Sequence, residues 1–371
     1  MPGIEELSAA VQHNCDLADA VHAQDLSLCT YLLQMREFFR WERGLPLDRL
    51  PDRAEVGRWI AMREAHWESL AGQADPRFDS LPIGGGVDAF DEVAANVRLD
   101  AHGLVYAAGL ARFRRPEFVL AERLDSQTRE GASIVVTGRE HARGLNPPMA
   151  ASRGDQVLVR RDVLRRWLGT RLELSQQRPS AEGLCAAADA WQVGDDREAA
   201  LDRIAAAETE TLILHELGER RAAALLGPPW EHMLESLDDQ RSELVARAIR
   251  DLLADCESTL PSLLERDERA SIHFWFANLG GHARPARAGV ARRVPALAQR
   301  GARHPGRLGR AGRCGAGAAR TLAGAGARAA RRLARRGGGR CDRVQRGARR
   351  RGSWRTTARM MRDHGSASGS R

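Results

Sequence analysis

One segment of the chain carries residue types and spacings that suit metal binding. His215 and Glu219 lie four residues apart in the segment ETETLILHELGERRA, and Glu208 precedes His215 by two helical turns. On an α-helix, side chains at these spacings share one face. An imidazole together with carboxylates suits iron, manganese or zinc. The segment therefore predicts a divalent-metal site whose ligands are His215, Glu219 and Glu208.

The pattern around His215 matches no established metal motif. It is not HExxH, and it lacks the glutamate that di-iron bundles place three residues before the histidine. Two or three side chains of one helix cannot complete a site, so further ligands must come from other helices, with His232 and His273 as candidates. The alternative is an amphipathic helix whose polar residues make ordinary contacts, which is the commoner situation.

Cys15 is a second residue that could carry chemistry. In a helix it shares a face with Asp19 and His22. A thiol becomes a nucleophile when a neighbouring base or cation lowers its pKa, and the spacing fixes no such group beside Cys15. Because buried free thiols are common in protein cores, packing is the favoured role of Cys15.

Arg36 and Arg40 are four residues apart and could grip a carboxylate or a phosphate. An internal ion pair with Glu37 or a neighbour is favoured over a ligand site, because half-buried arginines pair so often. The triple glycine at residues 84–86 has neither GxGxxG nor Walker spacing, so it predicts a loop and not a nucleotide site.

The elements that must position these residues form an α+β arrangement. Apolar periodicity and β-branched runs separate helices from strands. The predicted elements are helices at 5–22, 26–43 and 52–71, a short helix near 88–98, strands at 103–109, 117–122 and 132–137, and helices near 160–173, 181–192, 196–226, 228–256 and 260–277. The prediction is a mostly helical α+β fold with a small antiparallel sheet in the middle of the chain.

These elements divide the chain into four parts. They are an N-terminal helical unit at 1–75, a loop plus small antiparallel sheet at 76–150, a C-terminal helical domain at 151–281, and an arginine-, glycine- and alanine-rich tail at 282–371. A change from acidic to basic composition coincides with the start of the tail. All 57 basic residues are arginine, and 25 of them follow residue 280, where the only acids are Asp342 and Asp363.

The tail has the composition of an out-of-frame translation. From residue 282 to about 350, nearly every residue has a codon beginning with C or G, the exceptions being Cys314, Thr321 and Cys341. Shifting the frame permits helix-forming segments such as Trp-Leu-Ala-Leu-Ala-Arg. We therefore predict a frameshift in a GC-rich gene near Gly280–His282. The alternative is a disordered basic arm, whose nucleic-acid binding would be non-specific.

Composition indicates a bacterial protein of the cytoplasm. The first residues, MPGIEELSAA, have no basic n-region or apolar h-region, so no signal peptide is expected. No apolar run is long enough to span a membrane. The six cysteines form no CxxC pair, which predicts neither a zinc ribbon nor a thioredoxin-type site.

Several segments together resemble an uncharacterised family of conserved bacterial proteins. They are HNCDLAD at 13–19, LCTYLL at 28–33, MRE at 35–37, RWE at 40–42, GRE at 138–140 and LHE at 214–216. The resemblance covers about residues 10–279 and stops abruptly there. Members of the family continue with Gly-Met-Arg and a Trp-Leu-Ala-Leu helix, as the shifted frame permits. The resemblance implies no activity, cofactor or catalytic residue.

Two hypotheses about function remain open from the sequence. The first is a non-enzymatic interaction or ligand-binding protein, which is slightly favoured because no catalytic motif is present. The alternative is a metal-binding helical enzyme that uses the His/Glu site of the helix at 198–226. A divalent metal is the only cofactor that the residues suggest. Neither a membrane nor a specific nucleic acid is expected as a partner.

Overall fold

The computed structural model describes residues 3–72, 77–111, 115–177, 187–194, 196–235 and 240–277. The N-terminal helices are α1 (Ile4–His22), α2 (Leu28–Glu42), α3 (Arg53–Ala71) and α4 (Glu92–Leu99). The strands are β1 (Leu104–Leu110), β2 (Pro116–Arg129), β3 (Ala132–Arg143), β4 (Ala150–Arg153) and β5 (Gln156–Arg160). The C-terminal helices are α5 (Arg161–Gln177), α6 (Arg197–Leu226), α7 (Pro228–Glu235), α8 (Gln240–Ala254), α9 (Leu260–Glu265) and α10 (Arg269–Ala277). The predicted α+β class is confirmed.

The starts of α2 and α3 follow capping residues in the sequence. The Ser27 side chain accepts a hydrogen bond from the backbone N–H of Thr30, and Asp52 accepts one from the backbone N–H of Glu55. The first N–H groups of a helix have no partner within it, so such caps fix where the helix begins.

Aromatic packing joins α2 and α3. Phe38 and Phe39 are fully buried, and each packs edge-on against Trp59 of α3. The N-terminal part of α2 is different, because Leu28 is 71% exposed and Leu32 is 47% exposed. The apolar periodicity of this helix therefore overstates the width of its buried face.

The predicted small sheet in mid-chain is confirmed, and it is larger than the prediction. It has five strands in the order β1-β2-β3-β5-β4, and its pairs are antiparallel except for β3 and β5, which run parallel. The sequence prediction omits β4 and β5. The β5 segment QVLVR is a short apolar run, which periodicity cannot assign to a strand or a helix.

The sheet is curled, so that its two edge strands approach each other. The pairing of β2 with β3 shifts register between Leu120 and Asp125, and such irregularities bend a strand. At the edges, Arg153 of β4 donates a hydrogen bond to the carbonyl of Ala108 in β1 and pairs with Glu92 of α4. A cavity of about 200 Å³ is lined by residues that include Val105, Ala107, Val135 and Leu158.

Helix α6 is the central element of the C-terminal half. Ile213 and Leu217 pack against the sheet, and Leu201 and Ile204 belong to the cluster that α6 shares with α5. The helix ends at Gly227, which has a φ of +70°, and the next helix begins at Pro228. Glycine after a helix and proline at the start of the next are favoured there, as the sequence indicates.

Helices α6 and α8 come into close contact at Gly218. A Cβ atom at this position would lie 2.5 Å from the carbonyl oxygen of Ala254, so a side chain does not fit. Ala254 ends α8, and a π-helical turn at Asp255–Thr259 follows it. A π turn widens the helix locally and is frequent at functional sites. The contact sets the position of Asp255 against α6.

Two of the predicted segments lie wholly or partly outside the described residues. The arginine-rich tail at 282–371 lies outside the described residues, and so does the first half of the helix predicted at 181–192. Among the described helices, none has the length and apolar character that crossing a membrane requires.

Candidate metal centre

Two adjacent helices bring a histidine and two carboxylates together. Helix α6 carries His215 and Glu219, and α8 carries Asp251. One ligand atom from each of these three side chains lies within 4.8 Å of the others. We refer to these three residues as the His215 centre.

The orientation of the His215 ring follows from its hydrogen bonds. Its Nδ1 lies 2.8 Å from Oδ1 of Asp255, in the π-helical turn. Its Nε2 lies 3.5 Å from Oε1 of Glu219. With Nδ1–H donated to Asp255, Nε2 is the nitrogen that can act as a ligand, once it loses the proton that faces Glu219. A carboxylate that holds the second nitrogen of a histidine is a recurrent feature of metal sites.

Burial and neighbouring charges shift the pKa values of all three side chains of the His215 centre. Burial lowers the pKa of His215, but Asp255 and Glu219 outweigh burial and hold it well above the usual value. Burial and the neighbouring Glu219 raise the pKa of Asp251 to about 6. Burial also raises the pKa of Glu219, but His215 and Arg250 outweigh it and lower that pKa to about 2. Glu219 is therefore the more acidic of the two carboxyl groups, because His215 and Arg250 both place positive charge beside it.

One carboxylate oxygen of Asp251 has no hydrogen-bond partner among the described residues. Its Oδ1 atom is buried and, within the described part of the chain, accepts no hydrogen bond. Arg250 pairs with this carboxylate, and its Nη2 lies 3.8 Å from that oxygen and 2.5 Å from Oε2 of Glu219. Buried acceptors in native proteins are normally satisfied, so an oxygen of this kind suggests a missing water or ion.

The other predicted ligands lie apart from the centre. Glu208 is buried and accepts a hydrogen bond from Ser271 of α10, and burial raises its pKa. His232 and His273 are exposed. In the part of the chain that is described, the group that could hold a metal ion contains Asp251 in the place that the sequence prediction gives to Glu208.

Sequence reasoning missed Asp251 and Asp255. They are four residues apart, in the same spacing as His215 and Glu219, and this repeated spacing was the available signal. It could not be used without knowing that α6 and α8 pack together. The arrangement can hold a divalent cation, or it can remain an ion-pair network in which Arg250 supplies the positive charge.

Cys15 has the packing role that the sequence favours. Its thiol is buried and donates a hydrogen bond to the carbonyl of Phe118. Burial, followed by the charges of Asp19 and Glu117, raises its pKa well above the usual value. Because a thiol of raised pKa stays protonated, Cys15 is not an activated nucleophile.

Arg36 and Arg40 form the predicted internal ion pairs. Nη2 of Arg36 lies 2.8 Å from Oε2 of Glu173, and Nη1 of Arg40 lies 2.9 Å from Oε1 of the same carboxylate. Both arginines also pair with Glu37. The arginine pair therefore grips a carboxylate of α5, which is internal to the protein.

Comparison with known proteins gives matches to family models of unknown function. The N-terminal domain model of the family of unknown function DUF6866 matches residues 6–160, and its C-terminal domain model matches residues 165–333. No curated protein and no solved structure matches the chain. The second match continues into the arginine-rich segment, so the frameshift stays a prediction. Since the two matches cover most of the sequence, the chain belongs to the DUF6866 family.

Proposed function

We propose that this protein binds a divalent cation at the His215 centre. The observation that carries the proposal is the convergence of His215, Glu219 and Asp251 within 4.8 Å, from two helices that make close contact. The unsatisfied Oδ1 atom of Asp251 and the orientation of His215 by Asp255 support it. A carboxylate that orients a histidine is common at metal sites, and a buried carboxylate oxygen without a hydrogen-bond partner is available to an ion.

The ligand set narrows the choice of cation. One imidazole nitrogen and two carboxylates suit zinc, manganese or iron, whereas calcium and magnesium prefer sites made entirely of oxygen. Three protein ligands leave positions for water or for a small molecule. The proposed function is the binding of a cation. Catalysis by the same centre is the alternative function.

Arg250 is the competitor of the cation in this proposal. It pairs with Oε2 of Glu219 and faces Asp251, so it supplies positive charge while the metal is absent. When a cation binds, we expect Arg250 to keep its contact with Oε2 of Glu219. In the competing interpretation Arg250 is the permanent partner and no metal binds.

We assign this activity to the cytoplasm of a bacterium, on the sequence features given above. No specific nucleic acid is part of the proposed function. The arginine-rich tail would bind nucleic acid only by neutralising phosphates, and such binding weakens steeply as salt concentration rises.

Titration of the full chain with Zn²⁺ and Mn²⁺ tests the proposal. We expect one equivalent to bind to the wild type, and we expect Asp251→Asn to weaken binding at least tenfold, because the amide keeps the shape and removes the charge. His215→Ala should have the same effect. His22→Ala is the matched control, because His22 also lies beside an aspartate, Asp25, at 3.1 Å on an exposed surface.

Two outcomes would contradict the proposal. One is a wild type that binds neither ion. The other is equal weakening by Asp251→Asn and His22→Ala, which would place the ion elsewhere. Circular dichroism of each variant separates loss of ligand from loss of fold.

A further inference from the structure

The sheet has apolar side chains on both of its faces. Successive side chains of a strand point to opposite faces. Tyr106 of β1 belongs to the core cluster that includes residues of α1 and α4, and Val136 of β3 packs against α6. The alternate residues belong to neither cluster, yet four of them are apolar and half-buried: Val105, Ala107, Val135 and Leu158. A sheet face that meets water is normally polar, so an apolar second face indicates an enclosed surface.

The cavity of about 200 Å³ is lined by all four of these residues. They come from β1, β3 and β5, and two strands separate β1 from β5 in the sheet. Neighbouring strands are spaced about 4.8 Å apart, so β1 and β5 would lie about 14 Å apart in a flat sheet. That both strands line one cavity shows that the sheet curls around it. We refer to this space as the sheet cavity.

Side chains of α4 cover the outer edge of β1. Asn96 donates a hydrogen bond to the carbonyl of Tyr106 at 2.7 Å and accepts one from its backbone N–H at 2.8 Å. Glu92 accepts a hydrogen bond from the backbone N–H of Ala108 at 3.3 Å. Both Asn96 and Glu92 line the sheet cavity. The cavity is therefore bounded on this side by side chains, which a ligand can displace more readily than a paired strand.

The chemistry of the lining favours an uncharged ligand. The charged side chains among the described lining residues are neutralised by two ion pairs, Glu92 with Arg153 and Asp100 with Arg123. Ser133 and Gln156 also line the cavity and are partners in the register of β3 with β5. Their side chains form no hydrogen bond with the described residues, so they are available to a ligand. A few polar groups in a mostly apolar cavity are typical of small-molecule sites.

We propose that the sheet cavity binds a small, uncharged and mostly apolar molecule that carries one hydrogen-bonding group. Apolar cavities of about 150 Å³ take up benzene, so a cavity of about 200 Å³ admits one ring with a short polar substituent. The ring would lie against Val135 and Leu158, and the polar group would face Ser133 and Gln156. The sheet cavity shares no residue with the His215 centre, so the two proposals are tested separately.

Binding of benzyl alcohol to the full chain, measured by ligand-detected NMR, tests this proposal. We expect saturable binding to the wild type. We expect Val135→Phe to weaken it at least tenfold, because the larger side chain fills the cavity. Val97→Phe is the matched control. It adds the same ring to α4, which borders the cavity, but Val97 is 76% exposed.

Benzoate has nearly the same size as benzyl alcohol and carries a negative charge, so it tests the predicted neutrality of the ligand. Benzoate held by the arginine-rich tail would bind equally to the wild type and to Val135→Phe. Thermal unfolding without ligand shows whether Val135→Phe folds, and Ala107→Leu fills the same cavity from β1 if it does not.

Three results would overturn the proposal. The first is the absence of saturable binding of benzyl alcohol to the wild type. The second is an equal effect of Val135→Phe and Val97→Phe on that binding. The third is a loss of benzoate binding in Val135→Phe that matches or exceeds the loss for benzyl alcohol, because the cavity would then hold an anion.

Discussion

At the scale of residues, the sequence predicted two of the three members of the His215 centre. His215 and Glu219 could be paired because a spacing of four places side chains one above the other on any helix. Asp251 could not be paired with them, since its position depends on how α8 packs against α6. Glu208 shares the predicted face of α6, but a neighbouring helix, α10, supplies its partner, Ser271. Helical spacing predicts which side chains share a face of a helix, but the packing of neighbouring helices determines which residues contact that face.

Asp19 provides a residue-scale prediction about pH. The side chain is buried, and burial raises its pKa from 3.8 to about 8, although Arg115 opposes the shift. The folded protein thus keeps a proton that the unfolded chain loses. The contribution of Asp19 to stability is therefore full below about pH 4 and is lost as the pH rises towards 8, with a slope of about 1.4 kcal/mol per pH unit.

The substitution Asp19→Asn isolates this contribution. The amide can still accept the hydrogen bond that Leu145 N–H donates to Asp19, and it carries no charge. We expect the free energy of unfolding of the variant, relative to the wild type, to rise between pH 5 and pH 8. Urea unfolding at several pH values measures this difference, with the exposed Asp125→Asn as control. A difference that does not change with pH would contradict the raised pKa.

At the scale of elements, helices were predicted better than strands. The helix predicted at 196–226 is observed at Arg197–Leu226, because Gly227 and Pro228 end it clearly in the sequence. Strands β4 and β5 were missed because they are short and because β5 pairs with β3 in parallel, a contact between distant segments. The exposed N-terminal part of α2 shows the converse error, since none of the described residues buries the apolar side chains there.

The close contact of α6 with α8 gives a prediction at the same scale. In Gly218→Ala the new Cβ would lie 2.5 Å from the carbonyl oxygen of Ala254, so the helices must move apart. We expect a loss of stability of about 1–3 kcal/mol, the usual cost of overpacking. We also expect weaker cation binding, because α8 carries Asp251.

Gly57→Ala is the control for this substitution. Gly57 lies within α3 and has open space around it, so the added methyl group meets nothing. Alanine is the better helix former, and this control should gain about 0.5–1 kcal/mol. Chemical denaturation compares the two variants. Equal effects of the two changes on stability would contradict the proposed contact.

At the scale of the whole molecule, charge is divided along the chain. Residues 1–280 hold 47 of the 49 acidic residues, and the arginine excess lies almost entirely beyond them. The buried ion pairs of the N-terminal half account for many of the arginines there, as at Arg40 and Arg160. The net charge of the whole chain is therefore a poor guide to its partners.

The origin of the arginine excess is a separate prediction. If the tail is out of frame, sequencing of the gene through the codons of Gly280–His282 will reveal an insertion or deletion. Restoring the frame should then replace the arginine-rich segment with helix-forming sequence and raise solubility. An intact frame in the resequenced gene, or the same arginine-rich segment in close homologues, would contradict the prediction.

The central claim is that the His215 centre binds a divalent cation, and a crystal of the full chain grown with Zn²⁺ tests it most directly. Anomalous scattering at the zinc absorption edge locates the ion without assumptions about its ligands. We predict one strong peak about 2.0–2.2 Å from Nε2 of His215 and from oxygens of Glu219 and Asp251. A map with no peak there, in which Arg250 still pairs with Glu219, would contradict the claim.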